Sequence, residues 1–344
     1  MKGNISISEL HAGEEVWLTV VVSSTREIRP QQGKPFFLAT ARNASGRITL
    51  KIPSEILQSG GATLIAGLWG VVGRLEMFQS QPQFAVSEIR PITVEKYIEL
   101  QNAEPLWPRA FTIDIETIPL PAFRERAALR LKRSIARGRI SEEQQQRYFE
   151  DQAAEEDRAY RSGSLAATSG RVLSIAVHIG SIPDSKIEGF EQRESEHVFG
   201  IDSDGQEESE QQALTAFLSL MRSFDADIDE IVGHNVIGFD LPFIFQRCLV
   251  NDIRFRPFVN LGEFNVRGVY DTMHHWWLGA KNRVALDDIA WALGIESSKS
   301  DEVEGSRVFE LYEAGKLGAI REYNFNDVRV TRQVYERLLS VFGR

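Results

Sequence analysis

Cysteine is nearly absent from this sequence, and so are long apolar runs. The single cysteine, Cys248, excludes an internal disulfide and a cluster of thiolate metal ligands. No apolar run approaches the roughly 20 residues that a membrane-spanning helix needs. The N-terminal segment MKGNISISEL lacks the apolar core of a signal peptide. These absences favour a soluble, cytoplasmic protein with no membrane partner, and a length of 344 residues suggests two domains.

The chain also lacks the excess of basic residues that is common in proteins that bind nucleic acid. Its formal net charge is −10. Residues 1–105 carry ten basic and ten acidic side chains, so the whole excess of acid lies in residues 106–344. Affinity for a polyanion would therefore depend on local basic patches and not on the field of the whole molecule.

Residues 106–344 do contain carboxylates in apolar surroundings. In FTIDIET, apolar and polar residues alternate, which predicts a strand that carries Asp114 and Glu116 on the same face. Two carboxylates held this close repel each other unless a cation or water lies between them. Such pairs also occur at solvated strand edges, but the apolar setting of this pair favours a metal site.

Another acid follows a predicted strand and turn in IVGHNVIGFD. Asp240 stands where a helix would begin, and Pro242 suits the first helical turn, so Asp240 fits either a helix cap or a metal ligand. Asn235 and Phe239 favour a functional site, because an amide and an aromatic ring could hold a sugar-phosphate and stack on a base. His234 is predicted to be a turn residue and not a metal ligand.

The segment REYNFND belongs to a predicted helix from about Ala319 to Leu339. Tyr323 and Asp327 are four residues apart and therefore share one face of this helix. Taken alone, they fit a surface pair on an amphipathic helix. In combination with the two earlier acidic segments, they indicate a site for two divalent metal ions that cleaves phosphodiester bonds.

The three segments resemble the exonuclease motifs of the DEDD superfamily, which read DxE, NxxxFD and YxxxD. Tyr323 stands four residues before Asp327, as in the tyrosine subclass, whereas the position of the histidine subclass holds Glu322. Similarity to the proofreading domain of family B DNA polymerases covers roughly residues 107–344 and includes VYDTMHHWW, ALDDIAWALGI and LYEAGK. The resemblance implies an α/β, ribonuclease H-like domain with a mixed sheet flanked by helices.

The resemblance also implies a reaction, namely hydrolysis of nucleic acid from the 3′ end to nucleoside 5′-monophosphates. Two Mg²⁺ or Mn²⁺ ions would be held by the four acids Asp114, Glu116, Asp240 and Asp327. Tyr323 would orient the attacking water, Asn235 and Phe239 would seat the terminal nucleotide, and Thr117 is a further candidate substrate contact. The polymerase-like pattern favours single-stranded DNA. An exoribonuclease and a catalytically silent binding or assembly factor remain alternatives.

Residues 1–105 contain β segments separated by turns, which predict a small closed barrel that resembles an OB-fold. The predicted strands are Glu15–Ser24, Pro35–Arg42, Ile48–Ile52, Leu64–Glu76 and Gln83–Pro91. Such a barrel would bind single strands with aromatic and basic side chains. The candidates are Lys34 and Phe36 above all, with Phe37, Trp69, Phe84, Arg26, Arg29, Arg42 and Arg74. Each aromatic residue fits the barrel core as well, and a role in protein contact stays open.

A linker near Glu99–Pro108 is predicted to join this barrel to an exonuclease domain at 106–344, and a helical insertion is predicted at about 121–168. Within the insertion, residues 124–139 hold seven basic residues and one acid. Two interpretations fit this segment. It is either a patch or lid that contacts substrate phosphates, with Arg130 and Arg133 as candidates, or a basic helix paired to the acidic stretch that follows it.

Overall fold

A computed structural model describes residues 2–4, 7–43, 45–59, 67–78, 81–102, 108–182, 194–262, 266–278, 283–296 and 307–342. The chain divides into two compact units, Met1–Arg109 with Ser181–Arg193 and Ala110–Gly180 with Glu194–Arg344. Each unit has a buried apolar core of its own. In the part of the chain that is described, no helix is both long and apolar enough to cross a membrane.

The first unit is mainly β-structure. Its elements are β1 (Lys2–Asn4), β2 (Glu15–Ile28), β3 (Phe36–Asn43), β4 (Gly46–Pro53), α1 (Ser54–Ser59), β5 (Gly67–Phe78), β6 (Gln81–Pro91) and α2 (Val94–Gln101). The order β2-β3-β4-β6-β5 closes on itself because β5 also pairs with β2. The pair β4–β6 is parallel, and the other barrel pairs are antiparallel. This closed order agrees with the barrel expected from the sequence, although residues 64–66 of the predicted fourth strand lie outside the described residues.

The second unit is a mixed sheet with helices. Its elements are β7 (Arg109–Pro119), α3 (Arg124–Ala136), α4 (Glu142–Glu150), α5 (Gln152–Arg161), β8 (Gly170–Ser181), β9 (Ser195–Phe199), α6 (Glu210–Leu220), β10 (Glu230–Gly233), α7 (Asp240–Val250), β11 (Val269–Asp271), α8 (Thr272–Trp277), α9 (Leu286–Ala292), α10 (Val308–Glu313) and α11 (Leu317–Phe342). The sheet order is β11-β10-β7-β8-β9, with β10 parallel to β7 and β11 and with β9 antiparallel to β8. The α/β class predicted from the sequence is confirmed.

Strand alternation decides which side chains of β7 meet which helices. Phe111, Ile113 and Ile115 point to one face and join an apolar core that includes residues of α6 and α7. On β8, Ala176 points to the opposite face and packs with Phe325 of α11. Asp114 and Glu116 therefore lie on the face of the central strand that α11 covers. The helix predicted at Ala319–Leu339 is present as α11, with a few more residues at each end.

Candidate active site

Three carboxylates converge between β7 and α11. Asp114, Glu116 and Asp327 each place one carboxylate oxygen so that all three oxygens lie within 4.8 Å of one another, among the residues that the structure describes. Glu116 is buried, and the other two are half-buried. The fold thus brings the acids of two motifs that are distant in the sequence, one on β7 and one on α11, next to each other.

Asp240 lies directly beside this cluster at the start of α7. Its side chain is 3% exposed, and its Oδ1 accepts a hydrogen bond of 3.2 Å from the backbone N–H of Ile115. Ile115 stands between Asp114 and Glu116, so this bond fixes Asp240 against the strand that carries them. Asp240 does not belong to the group of three whose oxygens are mutually within 4.8 Å.

The acids strongly perturb one another. Burial raises the pKa of Asp114 well above its usual range, and the charges of Asp240, Asp327 and Glu116 raise it further. The pKa of Glu116 is raised in the same way, first by burial and then by Asp327 and Asp240. Burial raises the pKa of Asp240 to about 7, although hydrogen bonds from backbone N–H groups oppose this shift.

Three of the acids, Asp114, Glu116 and Asp240, have no basic partner among the residues that the structure describes, since no lysine or arginine forms an ion pair with them there. Buried carboxylates of this kind take up protons unless a compensating cation stabilises their ionised form. Because every donor atom is a carboxylate oxygen, the set fits a hard divalent cation such as Mg²⁺ or Mn²⁺. The cluster could therefore hold a metal ion.

Tyr323 stands one helical turn before Asp327 and is 7% exposed. The pKa of its phenol is raised, first by burial. The neighbouring charges of Asp327, Glu116 and Asp114 and a hydrogen bond with Asp327 raise it further. The hydroxyl group consequently keeps its proton at neutral pH, next to the acids.

Asn324 was not predicted from the sequence. This side chain is fully buried, and its Nδ2 donates a hydrogen bond of 2.7 Å to Oδ2 of Asp114. Its Oδ1 accepts a hydrogen bond of 2.7 Å from Ser174 Oγ on β8. The sequence offered one signal for it, a polar residue directly after Tyr323 on an otherwise apolar helix face. Its partners could not be predicted, because they are more than a hundred residues away in the sequence.

Asp271, at the end of β11, was also missed. Its carboxylate is 1% exposed and accepts hydrogen bonds from the backbone N–H groups of Asn235, Ile237, Met273 and His274 at 3.0–3.3 Å. It thus caps α8 and also ties down the loop that leads to Asp240. The segment VYDTMHHWW was noted in the sequence, but a pattern cannot show that one carboxylate holds two elements.

The loop before α7 contains the residues predicted to seat a nucleotide. Asn235 has φ = 61°, a left-handed conformation that asparagine tolerates better than most residues, and its carbonyl accepts N–H bonds from Gly238 and Phe239. Phe239 is half-buried, and its ring centroid lies 5.5 Å from that of Phe243. His234 Nε2 donates to the carbonyl of Val284 at 2.9 Å, in keeping with the turn residue that was predicted.

Three further candidates form contacts within the protein through their side chains. The Thr117 hydroxyl donates to the carbonyl of Ser164 at 2.9 Å, so its proton is engaged. In the barrel, Lys34 is exposed and forms an ion pair with Glu55, and Phe36 is half-buried with Lys51 Nζ 5.3 Å from its ring centroid.

Several of the barrel candidates do not lie on the surface. Trp69 and Phe84 belong to the barrel core, and Phe37 packs against it. Arg42 is only 8% exposed, so its expected place on an open binding face is wrong. It lies in β3 near the Tyr97 phenol, whose pKa is raised to about 12 by burial, and the charge of Arg42 opposes this rise. The exposed cations Arg26, Arg29 and Arg74 remain candidates.

The helical insertion follows the predicted range. The 3-10 turn Pro121–Phe123 leads into α3, Ser141 caps α4 with a capping box, and a second 3-10 turn ends at Leu165. Two cations of α3 pair with α5, as one interpretation required, whereas Arg130 and Arg133 are exposed.

One protein family matches the chain. The sequence model described as "Predicted 3'-5' exonuclease related to the exonuclease domain of PolB" matches residues 171–344, which is half of the chain. The matched range contains Asp240, Tyr323 and Asp327, and it begins after the strand of Asp114 and Glu116. No curated protein sequence matches the chain.

Solved structures that resemble part of the chain are distant. A domain of replication protein A from Methanococcus maripaludis is 18% identical, with 26% of this chain and 94% of that chain covered and a TM-score of 0.23. The S. pombe Stn1–Ten1 complex is 10% identical, with 26% and 65% covered and a TM-score of 0.22. A replication protein A heterotrimer bound to ssDNA is 11% identical, with 31% and 93% covered and a TM-score of 0.23. The barrel assignment rests on its own strand order.

Proposed function

Because the chain belongs to the family of predicted 3′–5′ exonucleases related to the exonuclease domain of PolB, we propose that it hydrolyses single-stranded DNA from the 3′ end to nucleoside 5′-monophosphates with the help of two divalent metal ions. The convergence of Asp114, Glu116 and Asp327 within 4.8 Å carries this proposal. The sheet order β11-β10-β7-β8-β9 supports a ribonuclease H-like domain, and Tyr323 supports the tyrosine subclass of DEDD exonucleases.

The four acids would hold Mg²⁺ or Mn²⁺, since Asp240 is fixed beside the other three by its bond to the Ile115 N–H. Bound cations would supply an activated water and would stabilise charge on the departing 3′ oxygen. The protonated Tyr323 hydroxyl would orient the attacking water. Asn324 would keep the carboxylate of Asp114 in one orientation.

Substrate contacts outside the metal site are part of the same proposal. Asn235 and Phe239 precede Asp240 directly, so they would meet the terminal sugar and base. In the barrel, Phe36 and Lys34 would contact the single strand, by stacking and by charge. The polymerase-related family favours DNA over RNA.

The test is a time course on single-stranded DNA and RNA oligonucleotides of matched sequence, each labelled at the 5′ end, in Mg²⁺, in Mn²⁺ or in EDTA. We expect a ladder that shortens from the 3′ end, requires metal, and is faster on DNA. Asp114→Ala and Asp327→Ala should each abolish it, because each removes a carboxylate of the cluster.

A matched control is Asp204→Ala, which removes an exposed carboxylate of the same unit and should leave the rate unchanged. Near-wild-type degradation by both cluster variants would show that the metal assignment is wrong. Faster degradation of RNA would assign an exoribonuclease. No cleavage of either strand by folded, metal-loaded protein would indicate a binding factor.

A further inference from the structure

Four arginines form a stripe along one side of α3, three within the helix and one, Arg137, at its C-cap. Arg126, Arg130, Arg133 and Arg137 follow the spacing i, i+4, i+7, i+11, which keeps them on the same side of a helix. All four are exposed. At a rise of about 1.5 Å per residue, the stripe is roughly 16 Å long. We call these four residues the arginine stripe.

The other cations of α3 are neutralised by its neighbour α5. Arg124 pairs with Asp157 at 3.1 Å, and Lys132 pairs with Glu156 at 3.0 Å. For the arginine stripe, by contrast, no acidic partner is found within the part of the chain that the structure describes. The basic residues of α3 therefore fall into two groups. One group forms ion pairs with α5, and the other, the arginine stripe, is exposed to solvent.

The insertion is fixed to the catalytic strand at both ends. Thr117, next to Glu116, donates to the carbonyl of Ser164 at 2.9 Å, and the Leu120 N–H donates to the carbonyl of Ser169 at 2.8 Å. Gly163 packs so closely on Phe123 that a Cβ there would lie 2.6 Å from the ring. The helix with the stripe thus starts from a rigid base directly after the strand of Asp114 and Glu116.

We infer that the arginine stripe binds the phosphodiester backbone of the single-stranded substrate, at nucleotides upstream of the 3′-terminal bond in the acid cluster. This inference rests on the proposed function. Guanidinium groups match phosphate geometry with paired hydrogen bonds, and they keep their charge at every relevant pH. In a chain with a net charge of −10, a polyanion needs such a local patch.

The test is the fourfold variant Arg126→Ala/Arg130→Ala/Arg133→Ala/Arg137→Ala in the full-length chain, since alanine preserves the helix. We expect kcat/KM on a 30-nucleotide single strand at low salt to fall about 10- to 100-fold. The slope of log kcat/KM against log salt should become shallower by about 0.7 for each phosphate that the variant no longer binds. A dinucleotide, which has no nucleotides upstream of its single scissile bond, should be cleaved within about twofold of the wild-type rate.

The control variant Arg222→Ala/Arg254→Ala/Arg256→Ala/Arg337→Ala removes four exposed arginines elsewhere in the same unit. It should retain the wild-type rate and salt slope. An unchanged salt slope in the stripe variant, an equal slope change in the control, or an equal loss of rate on the dinucleotide and the 30-mer would overturn the inference.

A wild-type protein that cleaves no oligonucleotide would refute the proposed function and not the stripe. In that case the affinity for the labelled 30-mer is measured in EDTA as a function of salt, for the full-length protein and for the same two variants. This measurement tests the stripe without cleavage. A shallower salt slope in the stripe variant alone supports the inference, and equal slopes refute it.

Discussion

At the scale of single residues, the acids of the site differ in what orients them. Asp240 is held by the backbone N–H of Ile115 in β7, which every substitution except proline retains. Asp114 depends on the amide of Asn324, which is itself fixed by Ser174. Side chains that orient a metal ligand without touching the metal typically change metal affinity or activity by 10- to 100-fold.

Asn324→Leu should therefore raise the metal concentration needed for half-maximal activity by about 10-fold or more. Leucine has a similar size, but it cannot donate to Asp114, so the carboxylate would lose its fixed orientation. Titration of the exonuclease rate with Mn²⁺ measures this effect. Asn326→Leu, at a half-buried position on the same helix, is the control. An unchanged metal requirement in Asn324→Leu would contradict a positioning role.

Tyr323→Phe should lower kcat by about 100-fold, the lower end of the usual range for a positioned proton-bearing group, without changing the metal requirement. The phenol ring and its packing remain, whereas the hydroxyl that is proposed to orient the attacking water is removed. Because burial and the acids raise the pKa of this phenol, the wild-type rate should show no loss from tyrosine ionisation up to about pH 10. Equal loss of metal affinity would instead mark the hydroxyl as part of the metal site.

At the scale of elements, local patterns in the sequence predicted the parts that carry the acids. Alternation identified β7, the four-residue spacing identified α11, and Asp240 with Pro242 marked the start of α7. The partners of Asn324 and Asp271 were not predictable, because a hydrogen bond over 210 residues leaves no local pattern. Arg42 was wrongly expected at the surface, since the face of a barrel strand is set by long-range register.

Asp271, at the end of β11, connects α8 to the loop before α7, and its loss should affect both stability and activity. In Asp271→Ala, the buried N–H groups of Asn235 and Ile237 would lose their acceptor, at a cost of about 1–3 kcal/mol each. The loop before Asp240 would loosen, so the rate should fall with stability. Chemical denaturation and the exonuclease assay measure the two effects.

Asp271→Asn keeps one acceptor oxygen and should lose less than Asp271→Ala in both assays. The exposed Asp252 serves as a control, because Asp252→Ala lies at the far end of α7 and should leave the rate unchanged. A rate unchanged in Asp271→Ala would show that the loop keeps its shape without this carboxylate.

At the scale of the whole molecule, the acid cluster should make stability depend on pH and metal together. The pKa of Asp240 rises from 3.8 to about 7 on folding, and the pKa values of Asp114 and Glu116 also rise. Raised carboxyl pKa values mean that the folded state binds more protons, so stability is lost as pH rises from about 4 to about 7.

Thermal unfolding in EDTA should therefore occur at a lower temperature at about pH 8 than at about pH 5. Mg²⁺ or Mn²⁺ should restore the melting temperature at about pH 8, because cations favour the ionised carboxylates. Asp240→Asn should reduce the dependence on pH in EDTA. A melting temperature in EDTA that rises over this range would contradict the assignment of a buried, uncompensated cluster.

The central position of β7 has a consequence for when the acid cluster assembles during synthesis of the protein. Its carboxylates meet their partners on α11 only after the chain has closed a loop of 210 residues, and such closures follow the formation of local structure. A nascent chain that stops short of α11 carries Asp114, Glu116 and Asp240 but lacks Tyr323, Asn324 and Asp327. Hydrolytic capacity would thus arise only once α11 has been made, and transient detachment of this one helix would switch it off.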